Sequence, residues 1–253
     1  MIVLIFFFTI WYTSLFCQTF FHHRYGAHGA FSMSKGWEKF FFILSFITQG
    51  SSYLSPRAYA IMHRMHHAYT DTEDDPHSPA YSKNLMDMMM QTYRSYVGIL
   101  DNTTPIDPKF TKNVPDWPAF DRIFGSMIPR IIMVALYVAF FVKFATSPWQ
   151  YLLLPILIVM SPVHGAIVNW YAHKYGYKNH EMKNTSSNLL PVDFLMLGES
   201  YHNNHHKNPS SINFGQKWHE FDPIYPIIRF FAVVGIVKLP KDGASYAGGG
   251  GTW

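Results

Sequence analysis

Residues 1–28 read MIVLIFFFTIWYTSLFCQTFFHHRYGAH: twenty-one residues without a charge, then His22-His23-Arg24 at once, then His28 five places after His23. The uncharged run 1–21 is long enough to cross the hydrocarbon core of a bilayer as a helix. It does not read as a cleaved leader, because no basic segment precedes the apolar run and no small-residue cleavage site follows it. The sequence therefore predicts a membrane helix that ends in histidines. Composition agrees. Charged residues make up 14% of the 253 and aromatics 18%, with 22 phenylalanines, against about 25% charged in a soluble domain. In water such a chain would expose too much apolar surface. The net charge of +4 comes from scattered Lys and Arg with no basic run, which argues against nucleic acid as a partner. A single cysteine, Cys17, excludes an intrachain disulfide and a Cys-based zinc site.

Two further spans are expected. Residues 125–146 are apolar, with Arg130 and Lys143 near the ends, where they can snorkel. Residues 149–169 are uncharged and hold Pro155 and Pro162; the short link at Ser147-Pro148 makes the pair a tight hairpin. Residues 37–62 are apolar but interrupted by Gly50-Ser51-Ser52, Pro56 and Arg57. If they crossed, the histidines before and after them would lie on opposite faces, so this segment is read as interfacial or re-entrant. Residues 227–239 are too short to span and read as an interfacial or packed helix. The polar stretch 63–124 carries Arg64, Lys83, Arg94, Lys109, Lys112 and Arg122, which places it on the cytoplasmic side. Residues 1–242 read as one domain. The tail 243–253, rich in glycine, reads as disordered.

Histidine is the outlier, with 14 residues. Nine fall in patterns: His23-x4-His28, His63-x2-His66-His67, His202-x2-His205-His206, and His173 four places after Asn169. In HxxHH the histidines stand at i, i+3 and i+4 on one helical face, so three imidazoles are expected to converge on one point. His23 and His28 lie roughly 140° apart on an ideal helix at about 100° per residue. They converge only if the helix ends or distorts between them, and Gly26 offers the place. Imidazole suits zinc, copper, iron and nickel. Nine ligands exceed one metal's coordination number, so two metals are implied. The boxes hold few carboxylates, unlike the Glu-rich di-iron bundles. A nitrogen-rich pair of irons at a membrane surface suits activation of O2. Of the other five histidines, His164 is expected as a hydrogen-bonded core residue of a span, His22 and His180 at the surface, and His77 and His219 as candidates for a polar supporting role.

These stretches resemble the membrane fatty acid desaturases, specifically the acyl-CoA desaturases of the stearoyl-CoA type. HRMHHAYTDTEDDPHS at 63–78 is similar to the family's HRxHHxxxDTxxDPH, NWYAH at 169–173 to its NxxxH, and GESYHNNHH at 198–206 to its GEGxHNxHH, with Ser200 in place of glycine. The likeness runs from HHRYGAH to KWHEFDPIYP. It implies an all-α fold: an integral-membrane helical core under a cytosolic helical cap that holds a histidine-rich di-iron centre. It implies His23, His28, His63, His66, His67, His173, His202, His205 and His206 as ligands of two irons, with Asn169 reaching one metal through water. Animal members carry another span before the first box, so the chain reads as a short bacterial-type form or as truncated. No HPGG haem motif is present, so electrons are expected from a separate protein, of ferredoxin type or of cytochrome b5 type with a reductase.

The expected activity is O2-dependent insertion of a cis double bond, at Δ9 of a saturated fatty acyl-CoA, with both oxygen atoms leaving as water. Asp74, Asp75 and Glu199 are candidates to hold the free ring N–H of a ligand histidine. Arg57, Arg64, Lys83 and Arg94 are candidates for the phosphates of CoA, and Trp170, Tyr171 and Tyr53 for the wall of an acyl tunnel. Two other readings compete. A hydroxylase would share the first hydrogen abstraction and end in an alcohol. A non-enzymatic membrane metal-binding or transport protein would want internal repeats and polar ligands at the bilayer midplane.

Overall fold

The structure, a computed structural model, describes residues 1–240; the expected disordered tail lies outside the described residues. The chain is built from helices around one histidine cluster. Helix α1 (Ile2–Phe16) turns Val3, Phe7, Trp11 and Leu15 inward at a four-residue spacing, which is one helical stripe. It runs without a break into a π-helical segment, Cys17–Ala27, so the apolar helix is 26 residues long. After it, β1 (Ser32–Met33) pairs antiparallel with β2 (Val237–Lys238), register Ser32 to Lys238. Part of 227–239, expected as an interfacial or packed helix, is thus this strand, and the helix itself is confined to Ile224–Val233.

Helix α2 (Lys35–Gln49) is capped by Ser34, whose hydroxyl accepts from Trp37 N. Its 15 residues span about 22 Å at 1.5 Å each, short of the ~30 Å hydrocarbon core. The chain then turns through Gly50–Ser52. With Ser55 as N-cap and Pro56 in its first turn, α3 (Pro56–Tyr69) brings the second histidine box back beside the first. Gly50 has φ +56°, and a Cβ there would lie 1.9 Å from the Tyr137 hydroxyl. Arg130, expected to snorkel, instead donates to Ser51 O and Tyr53 O, both at 2.7 Å.

Then follow α4 (Leu85–Leu100), α5 (Pro118–Phe124), α6 (Met127–Phe144), α7 (Leu153–Ile158), α8 (Met160–Ala166), α9 (His202–Lys207) and α10 (Ile224–Val233). Helix α6 is long and apolar enough to cross a membrane. The stretch expected as a third span, 149–169, is apolar enough to be one but is broken at Val159, its two halves bent by 76°. Pro162 explains the break: it has no N–H to give the Ile158 carbonyl one turn before it. Ser51 Oγ donates to that carbonyl at 2.8 Å, and Ser52 Oγ accepts from Ser161 N at 3.1 Å. The turn at 50–52 and the break at 159 thus satisfy each other's backbone, as buried irregular chain requires. Apolar residues of α1, α6, α7 and α8 form one core cluster; the π-helical segment, α2 and α10 form another.

Candidate metal centre

Four segments carry the histidines, the π-helical segment, α3, α9 and the turn at His173, and their local geometry sorts them. In a π-helix hydrogen bonds run from i to i+5, and His28 N donates to His23 O at 3.1 Å. The five-residue spacing that an α-helix would splay is in register here, so both rings point one way. Distortion was expected at Gly26; it occupies the whole of Cys17–Ala27.

The two HxxHH boxes do not each converge on one point, as expected from their common face. His63 and His67 of α3 join His23, His28 and His205 in one group. His202 and His206 of α9 join His66 and His173 in a second. The reason lies in helical angles. At about 100° per residue, i+4 lies some 40° to one side of i and i+3 some 60° to the other. The i, i+4 pair therefore serves one group and the i+3 residue the neighbouring one.

Within each group the donor atoms lie within 4.8 Å of one another. His63 Nε2 is 2.9 Å from His28 Nε2, His67 Nε2 2.8 Å from His205 Nε2, and His23 Nε2 3.0 Å from His205 Nε2. In the second group His173 Nε2 is 2.9 Å and His206 Nε2 3.0 Å from His202 Nε2. Three of the rings are held from behind. Glu199 lies 2.7 Å from His23 Nδ1, Asp75 2.9 Å from His66 Nδ1, and Asp71 3.6 Å from His173 Nδ1, beside Thr185 Oγ1. A carboxylate at Nδ1 draws the ring proton there and leaves Nε2 a bare lone pair. Lone pairs gathered at such distances repel unless a cation lies among them. Burial pushes His28, His63, His66, His67, His202, His205 and His206 well below the ordinary imidazole range, and the charge of neighbouring rings adds to the effect for each. Buried, convergent nitrogens fit two metal ions, five donors on one and four on the other.

The carboxylates sort differently from the sequence reading. Asp75 is fully buried and accepts from Asp71 N and His77 N as well as His66. Asp74 is exposed, and Asp71, which the sequence reading passed over, takes the expected place; α3 ends at Tyr69 with Thr70 as its cap, and Asp71, at φ +60°, follows with its carboxylate beside His173 and Thr185. Glu199 also accepts from Thr19 Oγ1 and from buried Arg24, which bonds Asp222 at 2.7 Å and stacks over Phe214. Burial alone would raise the Glu199 pKa, but His23 and Arg24 draw it below the ordinary range. Arg24 and Asp222 lie inside HHRYGAH and KWHEFDPIYP, yet the sequence reading gave neither a role.

Other expected residues fall elsewhere. Arg64 is wholly buried and clamps four carbonyls, of Gly26, Ala27, Phe110 and Lys112, so it is a strut rather than a phosphate ligand. Arg57 bonds Asn102. His22 is not at the surface; it is buried between Cys17 O and Leu54 O. His164 is buried edge-on to Trp11 without the expected hydrogen bond. His77 is buried against His66, ring centroids 4.2 Å apart. His180 is half-buried beside Gln216, and His219 is half-buried against Trp218. Tyr53 is core, bonded to Asp121, and Tyr171 is exposed.

An apolar cavity of about 290 Å³ reaches the histidines, with His23, His63 and His202 in its wall. Asn169, Tyr59 and Met196 also line it.

Comparison with known proteins gives a consistent result. A family profile described as fatty acid desaturase matches residues 1–233. The sn-1 stearoyl-lipid 9-desaturase of Synechocystis sp. is 29% identical over 232 residues, 88% of this chain and 67% of that protein. Its namesake in Anabaena variabilis is 26% identical over 238 residues, 91% and 80%. The Delta-9 desaturase-like 5 protein of Arabidopsis thaliana is 31% identical over 237 residues, 88% and 73%.

Proposed function

The chain belongs to the fatty acid desaturase family, and from that premise we propose that it is a membrane-bound, O2-dependent acyl desaturase that places a cis double bond at Δ9 of a saturated chain. The observation that supports this most is the pair of buried, convergent histidine groups that meet the wall of an apolar cavity. Two irons held by His23, His28, His63, His67 and His205, and by His66, His173, His202 and His206, would supply the O2 chemistry. The balance is one –CH2–CH2– unit, O2, two electrons and two protons giving –CH=CH– and two waters. The electrons come from a separate carrier protein.

The residues supply the rest. Glu199 and Asp75 hold the ring protons of His23 and His66 on Nδ1, Asp71 orients His173 through Thr185, and Nε2 is thereby aimed inward. The apolar wall excludes water and holds two adjacent methylenes near the centre; about 1 Å of misplacement costs roughly 100-fold in rate. The four-donor group leaves room for Asn169, on the cavity wall, to hold a water. For the carrier of the chain we propose membrane lipid rather than CoA. The relatives named above for a stearoyl-lipid substrate favour it, and Arg64, which could have met a phosphate, is committed to carbonyls. The site is proposed to face the cytoplasm, so that cysteines placed at Ser34 and Lys83 are labelled from one side. Gas chromatography–mass spectrometry of fatty acids from a host expressing the chain tests the activity: a Δ9 alkene is expected, and a hydroxy fatty acid as main product would overturn it.

A further inference from the structure

The cavity has a rim that the metal centre does not use. Of the residues that line it, the exposed ones are Met86, Met90 and Tyr93 of α4 and Pro162 of α8. The α4 residues are 70, 45 and 61% exposed. Helix α4 packs its other face on α3, burying Met88, Tyr96 and Ile99. Pro162 belongs to the bent pair apolar enough to cross a membrane, and α8 lies against α4. The opening is therefore a gap between an amphipathic helix and a membrane helix. None of the residues lining the cavity is Lys or Arg. A soluble CoA thioester carries several phosphates, which cationic forks and ammonium groups would meet. Arg94, exposed beside Tyr93 on α4, suits one lipid phosphate. Methionine is the adaptable side chain for a surface that must part and close.

We propose that the gap between α4 and α8 is a side door, through which an acyl chain still esterified to a membrane glycerolipid passes from the bilayer into the cavity. The inference rests on the acyl desaturase reading. The ester and headgroup stay at the rim beside Tyr93 and Arg94, and the tail reaches the histidines. Met86 and Met90 form the threshold, so bulk placed there blocks passage without touching a histidine.

The test uses the full chain, loaded with iron, in nanodiscs containing stearoyl phosphatidylcholine, with an electron donor. Met86→Trp with Met90→Trp is expected to lower turnover of the lipid-borne chain at least tenfold with iron content unchanged. A second measurement needs no turnover. A bimane on Tyr93→Cys is expected to be quenched more by phospholipid carrying a nitroxide on its tail than by iodide; buried Cys17 is not labelled. Full turnover in the tryptophan variant, wild-type turnover of stearoyl-CoA but not of the lipid, or stronger quenching by iodide overturns the door. Iron-loaded wild type that makes no alkene from either carrier sinks the desaturase reading instead, and the quenching still decides whether the rim faces lipid.

Discussion

At the scale of single residues, two neighbouring aspartates give the sharpest contrast. Asp71 and Asp74 stand three places apart in TDTEDDPH, yet one lies against His173 and the other faces solvent. Losing the carboxylate that orients a ligand histidine typically costs 10–100-fold in metal affinity or activity. Asp71→Asn and Glu199→Gln are therefore expected to lower iron retained after dialysis by about that factor, whereas Asp74→Asn stays within about twofold of wild type. Equal losses for Asp71→Asn and Asp74→Asn would show that the loop, not the carboxylate that reaches His173 through Thr185, matters. The sequence named Glu199 and Asp75 because they sit inside histidine motifs. It passed over Asp71, although that is the fixed aspartate of DT in HRxHHxxxDTxxDPH, because its role depends on a left-handed residue just after α3 and on Thr185 more than a hundred positions away. Arg24 and Asp222 were hidden for a related reason: their partners lie about two hundred positions away in the chain.

At the scale of elements, the turn Gly50–Ser52 and the break at Val159 are one device. Ser51→Ala strips the Ile158 carbonyl of its donor, and an unsatisfied buried acceptor costs about 1–3 kcal/mol. Gly50→Ala adds a left-handed strain to a collision with Tyr137 and is expected to be worse. Thermal unfolding in detergent should rank them so, and Tyr137→Phe should recover part of the Gly50→Ala loss by removing the struck hydroxyl. A Gly50→Ala protein as stable as wild type would refute the close approach. This device marks where the sequence was readable and where not. Apolar runs located α1 and α6, since composition alone decides them, but not where the first helix changes to π geometry and ends. The bend was not legible: Pro162 was visible, but a proline kinks a helix by an amount that depends on who receives the freed carbonyl, here a serine more than a hundred positions earlier. The π-helix was half legible, because HxxxxH demanded a distortion without saying which.

At the scale of the whole molecule, burial of so many imidazoles makes the apoprotein sensitive to acid. Seven cluster histidines titrate well below the ordinary range when folded, and near 6.5 when unfolded. Between these values the unfolded chain binds more protons, so stability rises with pH and is lost as pH falls below about 6.5. Each such group contributes up to roughly 1.4 kcal/mol per pH unit. The apoprotein's Tm should fall steeply from pH 7 to pH 5.5, and a flat profile would contradict neutral buried rings. The interleaving of the boxes has a further effect. Because α3 and α9 each serve both histidine groups, whichever ion arrives first immobilises both helices and so shapes the second coordination sphere before it is filled. Loading should then be all-or-none: native mass spectrometry at one Fe(II) per chain should show empty and doubly filled protein, with the singly filled form below its statistical share.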